Sequence, residues 1–322
     1  MLVERLVSTI IPVHNRAALL REAVASVLAQ TYRPVEIIVV DDGSTDETGR
    51  EAERLSEAHP EVHTIHRENG GPGAARETGR LAAQGEFIQY LDSDDLLLPT
   101  KFELQVAGLR QCGDCAVSYG KTRFYAYGDY PTDVAWKRTG EQILTMFPSF
   151  LRSRWWDTST PLYLRKVTDL AGPWTGLKNE EDWEYDCRIA SKGGRLHYCD
   201  AFVSDTRITS GYQLSTAGSS DPEKLRDRAR AHKLIFEHAL AAGISGETSD
   251  MQHFARELFL LARQCGAVGL SKEARALFEL ARQASGSNRS RGFDFVLYRS
   301  CTRLVGWRAM GRLTCYFDRF RA

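Results

Sequence analysis

What most restricts the fold of this chain is the order of its first hundred residues, where four short apolar runs alternate with stretches of helical period. Val7–Val13, Glu36–Val40, Val62–His66 and Glu86–Leu91 read as strands. Between the first two, Leu20, Ala23, Val24, Val27 and Leu28 recur at helical spacing, and Ser44 with Glu47 reads as a capping box that opens the next helix. Strand, helix, strand in this order implies parallel pairing with right-handed crossovers, hence an α/β sheet covered on both faces. Ligands in such sheets bind beyond the carboxyl ends of the strands, so the residues just after each apolar run are where a site is sought.

Two acidic groups stand at those places. Asp41 and Asp42 follow Ile37–Val40, and Asp92, Ser93, Asp94 and Asp95 follow Phe87–Leu91, which puts both groups on one edge of the sheet. Aspartate is also a common turn former and helix cap, and for Asp41 and Asp42 that plain reading stays open. Three aspartates within four residues concentrate like charge, which is costly without a cation or a basic partner. An Asp-x-Asp pair at a strand end suits a hard divalent cation that completes its shell with substrate phosphate and water.

Composition narrows the classes. Lys plus Arg and Asp plus Glu number 42 each, so the whole-chain field favours neither nucleic acid nor an anionic surface. Met1–Leu6 carries Glu4 and Arg5 and lacks an apolar leader, and no run approaches the roughly 20 apolar residues of a spanning helix, so a cytoplasmic location is expected. Seven cysteines fit reduced thiols, and the lone Cys112-x-x-Cys115 lacks the four ligands of a structural zinc site.

From about Lys101 to Leu214 the pattern turns to mixed strands, loops and aromatics. Beyond Ser219 and Ser220 it becomes helical, with a helical hairpin expected around Gly266–Gly269 that resembles one tetratricopeptide unit. Gly286–Arg291 is a Gly/Ser/Arg linker. After it, Phe295, Leu304, Trp307, Leu313, Tyr316, Phe317 and Phe320 interleave with arginines at 299, 303, 308, 312, 319 and 321. Such a segment either lies on an anionic lipid surface or packs on protein, including a second copy.

Val7-Ser-Thr-Ile-Ile-Pro-Val-His-Asn-Arg16, Ile38-Val-Val-Asp-Asp-Gly-Ser-Thr-Asp46, Asn69-Gly-Gly-Pro-Gly-Ala-Ala-Arg76, Tyr90-Leu-Asp-Ser-Asp-Asp95 and Glu181-Asp-Trp183 occur in one order over roughly residues 5 to 215. In that order and spacing they resemble the family 2 glycosyltransferases, whose GT-A type fold is a Rossmann-like, mostly parallel sheet with flanking helices. The resemblance implies a catalytic domain over 1–215, with a nucleotide-binding half at 1–100 and an acceptor-binding half at 101–215. A helical appendage (216–290) and a basic aromatic tail (291–322) complete the expected organisation.

The resemblance further implies that Pro12 and His14, with Asn15 and Arg16, line the nucleoside pocket. Asp42, beside Asp41, would accept from the base or ribose. Arg76 would sit near the base or diphosphate, and Asp92 and Asp94, flanking Ser93, would hold Mg²⁺ or Mn²⁺. Asp182 is the implied general base, with Glu181, Trp183, Trp155 and Trp156 toward the acceptor; for the tryptophans plain packing stays open. Arg207 matches the family pattern, while Thr209 stands where a His is expected and Glu77 where Asn is common. Leu151 replaces the Gln of the processive Gln-x-x-Arg-Trp motif, and Arg154-Trp155 lies upstream of the base, so single-sugar transfer is expected. The implied activity is inverting, metal-dependent transfer from a nucleoside diphosphate sugar, a uridine one first, to a glycan or lipid-linked glycan hydroxyl. A nucleotide-sugar-binding protein without turnover is the alternative. A nucleotidyltransferase lacks support, because no glycine-rich basic phosphate loop lies near the first strand.

Overall fold

The computed structural model describes residues 2–209, 221–286 and 292–318. These divide into two compact units, one built from residues 2–146, 155–176 and 192–209, the other from 147–154, 177–191, 221–286 and 292–318. Leu214, Ser219, Ser220, residues 287–291 and Arg319, Phe320 and Arg321 lie outside the described residues.

The first unit runs β1 (Val3–Val13), α1 (Ala17–Leu28), β2 (Val35–Asp42), α2 (Thr48–Ala58), β3 (Val62–Arg67), α3 (Pro72–Ala82) and β4 (Gly85–Tyr90). It continues through β5 (Leu96–Leu97), α4 (Lys101–Gln111), β6 (Cys115–Ala126), β7 (Leu162–Leu164), α5 (Arg165–Ala171) and, in the same sheet, β8 (Arg195–Ile208). The eight strands lie in the order β3-β2-β1-β4-β7-β6-β8-β5. Strands β1 to β4 pair in parallel, β7 runs antiparallel to both its neighbours, and β6 is parallel to β8. This is the mostly parallel α/β sheet that the alternating apolar runs require.

Strand pleating explains the two covered faces. Val7, Ile11 and Val13 of β1 point into a core shared with Leu20, Val24 and Val27 of α1 and with Ala52 and Leu55 of α2. Ile10 points the other way, against α3, where Gly79 has no room for a side chain: a Cβ there would stand 2.4 Å from Ile10 Cγ2. Every residue of β2 is buried, and each apolar one contributes about 1.5–3 kcal/mol by leaving water.

Two local expectations need correction. Ser44 and Glu47 do not form a capping box: the Ser44 hydroxyl accepts from the Asn15 N–H (3.0 Å), and it is Asp46 that accepts from the Thr48 N–H (2.9 Å) as α2 begins. Cys112 and Cys115 are not thiols, because the turn between α4 and β6 brings their Cα atoms to 5.3 Å and they form a disulfide. Cys187, Cys199, Cys265, Cys301 and Cys315 are free.

The second unit is helical: α6 (Glu181–Ser191), α7 (Pro222–Ala241), α8 (Ser249–Ala267), α9 (Ser271–Ala284) and α10 (Phe293–Asp318), bent at Gly306. Helices α7 and α8 start on side-chain caps, Asp221 accepting from Glu223 N–H and Thr248 from Met251 N–H. The apolar stripe of α8 (Phe254, Leu258, Leu261) and that of α9 (Ala274, Leu277, Phe278, Ala281) are buried in the expected hairpin. No described helix is long and apolar enough to cross a membrane.

Candidate active site

Register places the first group of site residues. Val13 pairs with Asp41, and Asp41 and Asp42 pair with His66 and Arg67, so the carboxyl ends of β1, β2 and β3 finish side by side. The Asp42 carboxylate is nearly fully buried and accepts from Arg67 Nη1 (2.5 Å), from the Gly71 N–H (2.7 Å) and through both oxygens from the Gly70 N–H (3.0 and 3.2 Å). It thereby fixes the glycine loop that leads into α3. Gly71, at φ 89°, is the helix N-cap, and Pro72 opens the helix where a missing N–H costs nothing. Asp41 accepts from the Ser44 N–H (3.0 Å) and from His66 Nδ1 (2.9 Å). Burial raises its pKa, but these bonds outweigh burial and hold it below the ordinary carboxylate value.

The turn after β1 is tied to the same edge. Pro12 is buried opposite Val40, whereas His14 is exposed and its Nδ1 lies 3.0 Å from the Asp42 carbonyl. Asn15 adopts a left-handed φ of 52°, and its side-chain oxygen accepts from the Thr45 N–H (2.8 Å). The Arg16 N–H donates to Thr48 Oγ1 (2.8 Å), and its guanidinium pairs with Asp94.

The second acidic group follows β4, hydrogen-bonded to the middle of β1 through Leu91 N–H and Ile10 C=O (3.0 Å). Here the crowded negative charge finds basic partners. Arg76, buried and lying over Trp174 at 4.9 Å, donates to Asp92 (2.7 Å), while Arg16 pairs with Asp94. Burial first, and then the neighbouring Asp92 charge, raise the Asp94 pKa above its ordinary value, against the pull of Arg16. Ser93 is buried between the two acids.

Asp95 is a residue that sequence reasoning passed over as a site member. It is 3% exposed and accepts from Ser159 Oγ (2.9 Å) and from the Arg207 N–H (3.1 Å), so it fastens the acidic turn to β8. Burial, followed by Asp94, Asp92 and Asp157, pushes its pKa well above the usual carboxylate range. Arg207 completes the tie: its Nε donates to the Asp94 carbonyl (2.5 Å), Nη1 pairs with Glu22, and buried Nη2 has no hydrogen-bond partner among the described residues. Neither Glu22 nor Arg67 was singled out from the sequence, because nothing local marks a charge whose partner lies far along the chain. Glu77 accepts from Arg80 (2.8 Å) and from the Trp174 N–H (3.2 Å), which gives this departure from the family pattern a role within the fold.

The Asp92 and Asp94 oxygens have the chemistry of cation ligands. Two partly exposed, hard carboxylates beside a strand end, one of them destabilised as an anion by burial and by the other's charge, fit a cation that takes its remaining ligands from phosphate and water. They do not make an all-protein cage. Among the described residues the one grouping of three or more His, Cys, Asp or Glu ligand atoms is Cys112, Asp114 and Cys115, whose sulfurs are already bonded to each other.

In the helical unit, Asp182 stands in the first turn of α6. Its Oδ2 accepts from Arg154 Nη1 (2.8 Å) and its Oδ1 from the Trp183 N–H (2.7 Å). Arg154 Nε also binds Asp186 (2.7 Å), which is 1% exposed, so one guanidinium spans two carboxylates one helical turn apart. Trp183 is half-buried; its Nε1 donates to the Phe150 carbonyl (2.9 Å) and its ring meets His232 and Phe254 edge-on. Glu181 is buried. Trp155 and Trp156 require a correction. At 1% and 0% exposure, within an aromatic cluster around Tyr119, they pack the first unit and offer no face to an acceptor.

Residues 8–166 match Glycosyl transferase family 2. An uncharacterized glycosyltransferase of Rickettsia bellii is 46% identical over 101 residues, 31% of this chain and 14% of the relative. This chain spans no more than a third of the curated relatives reported with it. Among solved structures, S. aureus TarS 1–349 in complex with UDP-GlcNAc superposes with a TM-score of 0.68 at 21% identity, covering 95% of this chain and 88% of that one. A mannosyltransferase from Pyrobaculum calidifontis in complex with GDP-Man and Mn²⁺ gives 0.50 at 17% identity, covering 98% and 87%. At such identities the likeness concerns the fold, which is of the GT-A type. Residues 8–166, which hold the parallel strands, the glycine loop and both acidic turns, form a Glycosyl transferase family 2 domain.

Proposed function

We propose that this chain transfers one sugar from a nucleoside diphosphate sugar, with uridine as the preferred nucleoside, to a hydroxyl of a glycan or lipid-linked glycan, with inversion at the anomeric carbon. The observation that carries the reading is the shared edge of the sheet, where Asp42 with its glycine loop and the Asp92/Asp94 pair sit at the carboxyl ends of β2 and β4, the parallel neighbours on either side of β1. The UDP-GlcNAc and GDP-Man complexes of the two fold relatives support a donor of this class.

On this reading Asp92 and Asp94 hold Mg²⁺ or Mn²⁺, which when bound supplies Lewis-acid stabilisation of charge on the departing diphosphate. The chain's own groups do the rest. Arg76 and Arg207 present guanidinium donors beside those carboxylates, suited to phosphate oxygens. Pro12, His14 and Asn15 border the nucleoside. A base or ribose donor reaches the Asp42 carboxylate by replacing Arg67, the side-chain donor among its present partners. Asp182, in the Glu181-Asp182-Trp183 segment, takes the acceptor proton as general base. Glu181 and Trp183 border the acceptor.

Release of UDP from a panel of UDP-sugars, with glycan acceptors and Mn²⁺, tests the reading. Asp182→Asn is expected to lower turnover by about 10²–10⁴-fold with UDP binding intact. Full turnover by that variant contradicts the assignment of the base, and UDP binding without release by the wild type would make the protein a binder.

A further inference from the structure

Helix α10 packs one face on its own unit and exposes side chains on the other. Phe295 and Tyr298 are buried against Phe259 and Phe278, and Trp307 meets Phe278 at 5.6 Å. Farther along, Gly311 lies so close to α8 that a Cβ would stand 2.7 Å from the Arg263 carbonyl and 2.4 Å from the Ala267 nitrogen. The small residue sets the depth of the crossing. The outer face is apolar: Leu304 is 85% exposed, and Leu313, Tyr316 and Phe317 are each more than half exposed. Positions 313, 316 and 317 recur at i, i+3 and i+4, so they form one stripe.

Between Asp294 in its first turn and Asp318 at its end, the charge on this helix is all positive. Arg299, Arg303, Arg308 and Arg312 are exposed, and no carboxylate occurs between Asp294 and Asp318. Arg299 reaches Glu279 only at 4.0 Å, and Arg312 Nε lies 3.4 Å from the Ala267 carbonyl; Arg303 and Arg308 have no ion pair among the described residues. Exposed aliphatic and aromatic side chains beside arginines suit the boundary between lipid headgroups and acyl chains. A second copy of the helix would bring arginines against arginines, with no acid between positions 294 and 318 to offset them.

We propose that the outer face of α10 docks on an anionic lipid bilayer, with Leu304, Leu313, Tyr316 and Phe317 entering the acyl boundary and the arginines meeting the headgroups. This goes beyond the sugar-transfer reading and does not depend on it, since the test needs no catalysis.

The full chain is floated with vesicles of phosphatidylcholine and phosphatidylglycerol, and separately with phosphatidylcholine alone. It is expected to float with the anionic vesicles only, and less as salt rises. Arg303→Gln/Arg308→Gln is expected to weaken partitioning on the order of twentyfold, and Leu313→Ser/Phe317→Ser to abolish flotation. These side chains are exposed, so the variants should keep the wild-type melting temperature, which verifies that they fold. Absence of flotation, equal flotation on both vesicles, or flotation unchanged in both variants overturns the proposal. Concentration-dependent self-association that is lost in Leu313→Ser/Phe317→Ser, without flotation, also overturns it and assigns the face to a second copy.

Discussion

Arg154 is the residue whose surroundings say most about the helical unit. It holds the proposed base, Asp182, and the fully buried Asp186 with one guanidinium. Arg154→Met deprives Asp186 of its cation in a low-dielectric setting, and a loss of about 3–5 kcal/mol in chemical denaturation is expected. Adding Asp186→Leu should recover more than half of it. A double variant no more stable than the single one would contradict the pairing as described. A milder balance operates at His66. Hydrogen bonds to Asp41 and then Glu53 raise its pKa, opposed by burial. Because the folded value lies above the unfolded one, the stabilisation is complete below about pH 6.5 and is lost as pH rises through the folded value. The ring is about half exposed, so solvent screening keeps the effect small. His66→Gln should melt about 1–3 °C below wild type near pH 5.5 and converge with it near pH 9; a gap that widens with pH would reverse the sign and refute the account.

Packing of single elements against the sheet fixes where the site residues arrive. Helix α3 carries Arg76 and approaches β1 closely because Gly79 faces Ile10. Gly79→Ala should cost about 1–3 kcal/mol by overpacking, whereas Gly113→Ala, with open space around its Cβ position, should stay within about 0.5 kcal/mol. Equal effects in denaturant titrations would show that the α3–β1 contact is not limiting. Elements such as these were legible in the sequence, because β1 to β4 and α1 declare themselves by period and by the residues that end them. The start of α2 was not, since the Ser44 hydroxyl is claimed by Asn15, which lies 29 positions earlier. Trp155 and Trp156 stayed ambiguous for a related reason, an aromatic pair looking the same whether it faces a sugar or Tyr119, and the packing alternative is the one observed.

On the scale of the whole molecule, the sheet edge was readable as a place but not as a set of ion pairs. That acids follow β2 and β4 is a local fact. That Arg67 answers Asp42, Arg16 answers Asp94 and Arg207 fastens the turn beneath it is a consequence of distant segments meeting. The same edge carries the central claim, that Asp92 and Asp94 hold a divalent cation together with a nucleoside diphosphate. Thermal melting with UDP, with and without Mn²⁺, on wild type and Asp94→Asn, tests it most directly. Saturating UDP with Mn²⁺ should raise the wild-type melting temperature by about 5 °C, UDP without metal should do far less, and the variant should lose the metal-dependent part. An equal shift without Mn²⁺, or an undiminished metal-dependent shift in Asp94→Asn, would contradict the claim.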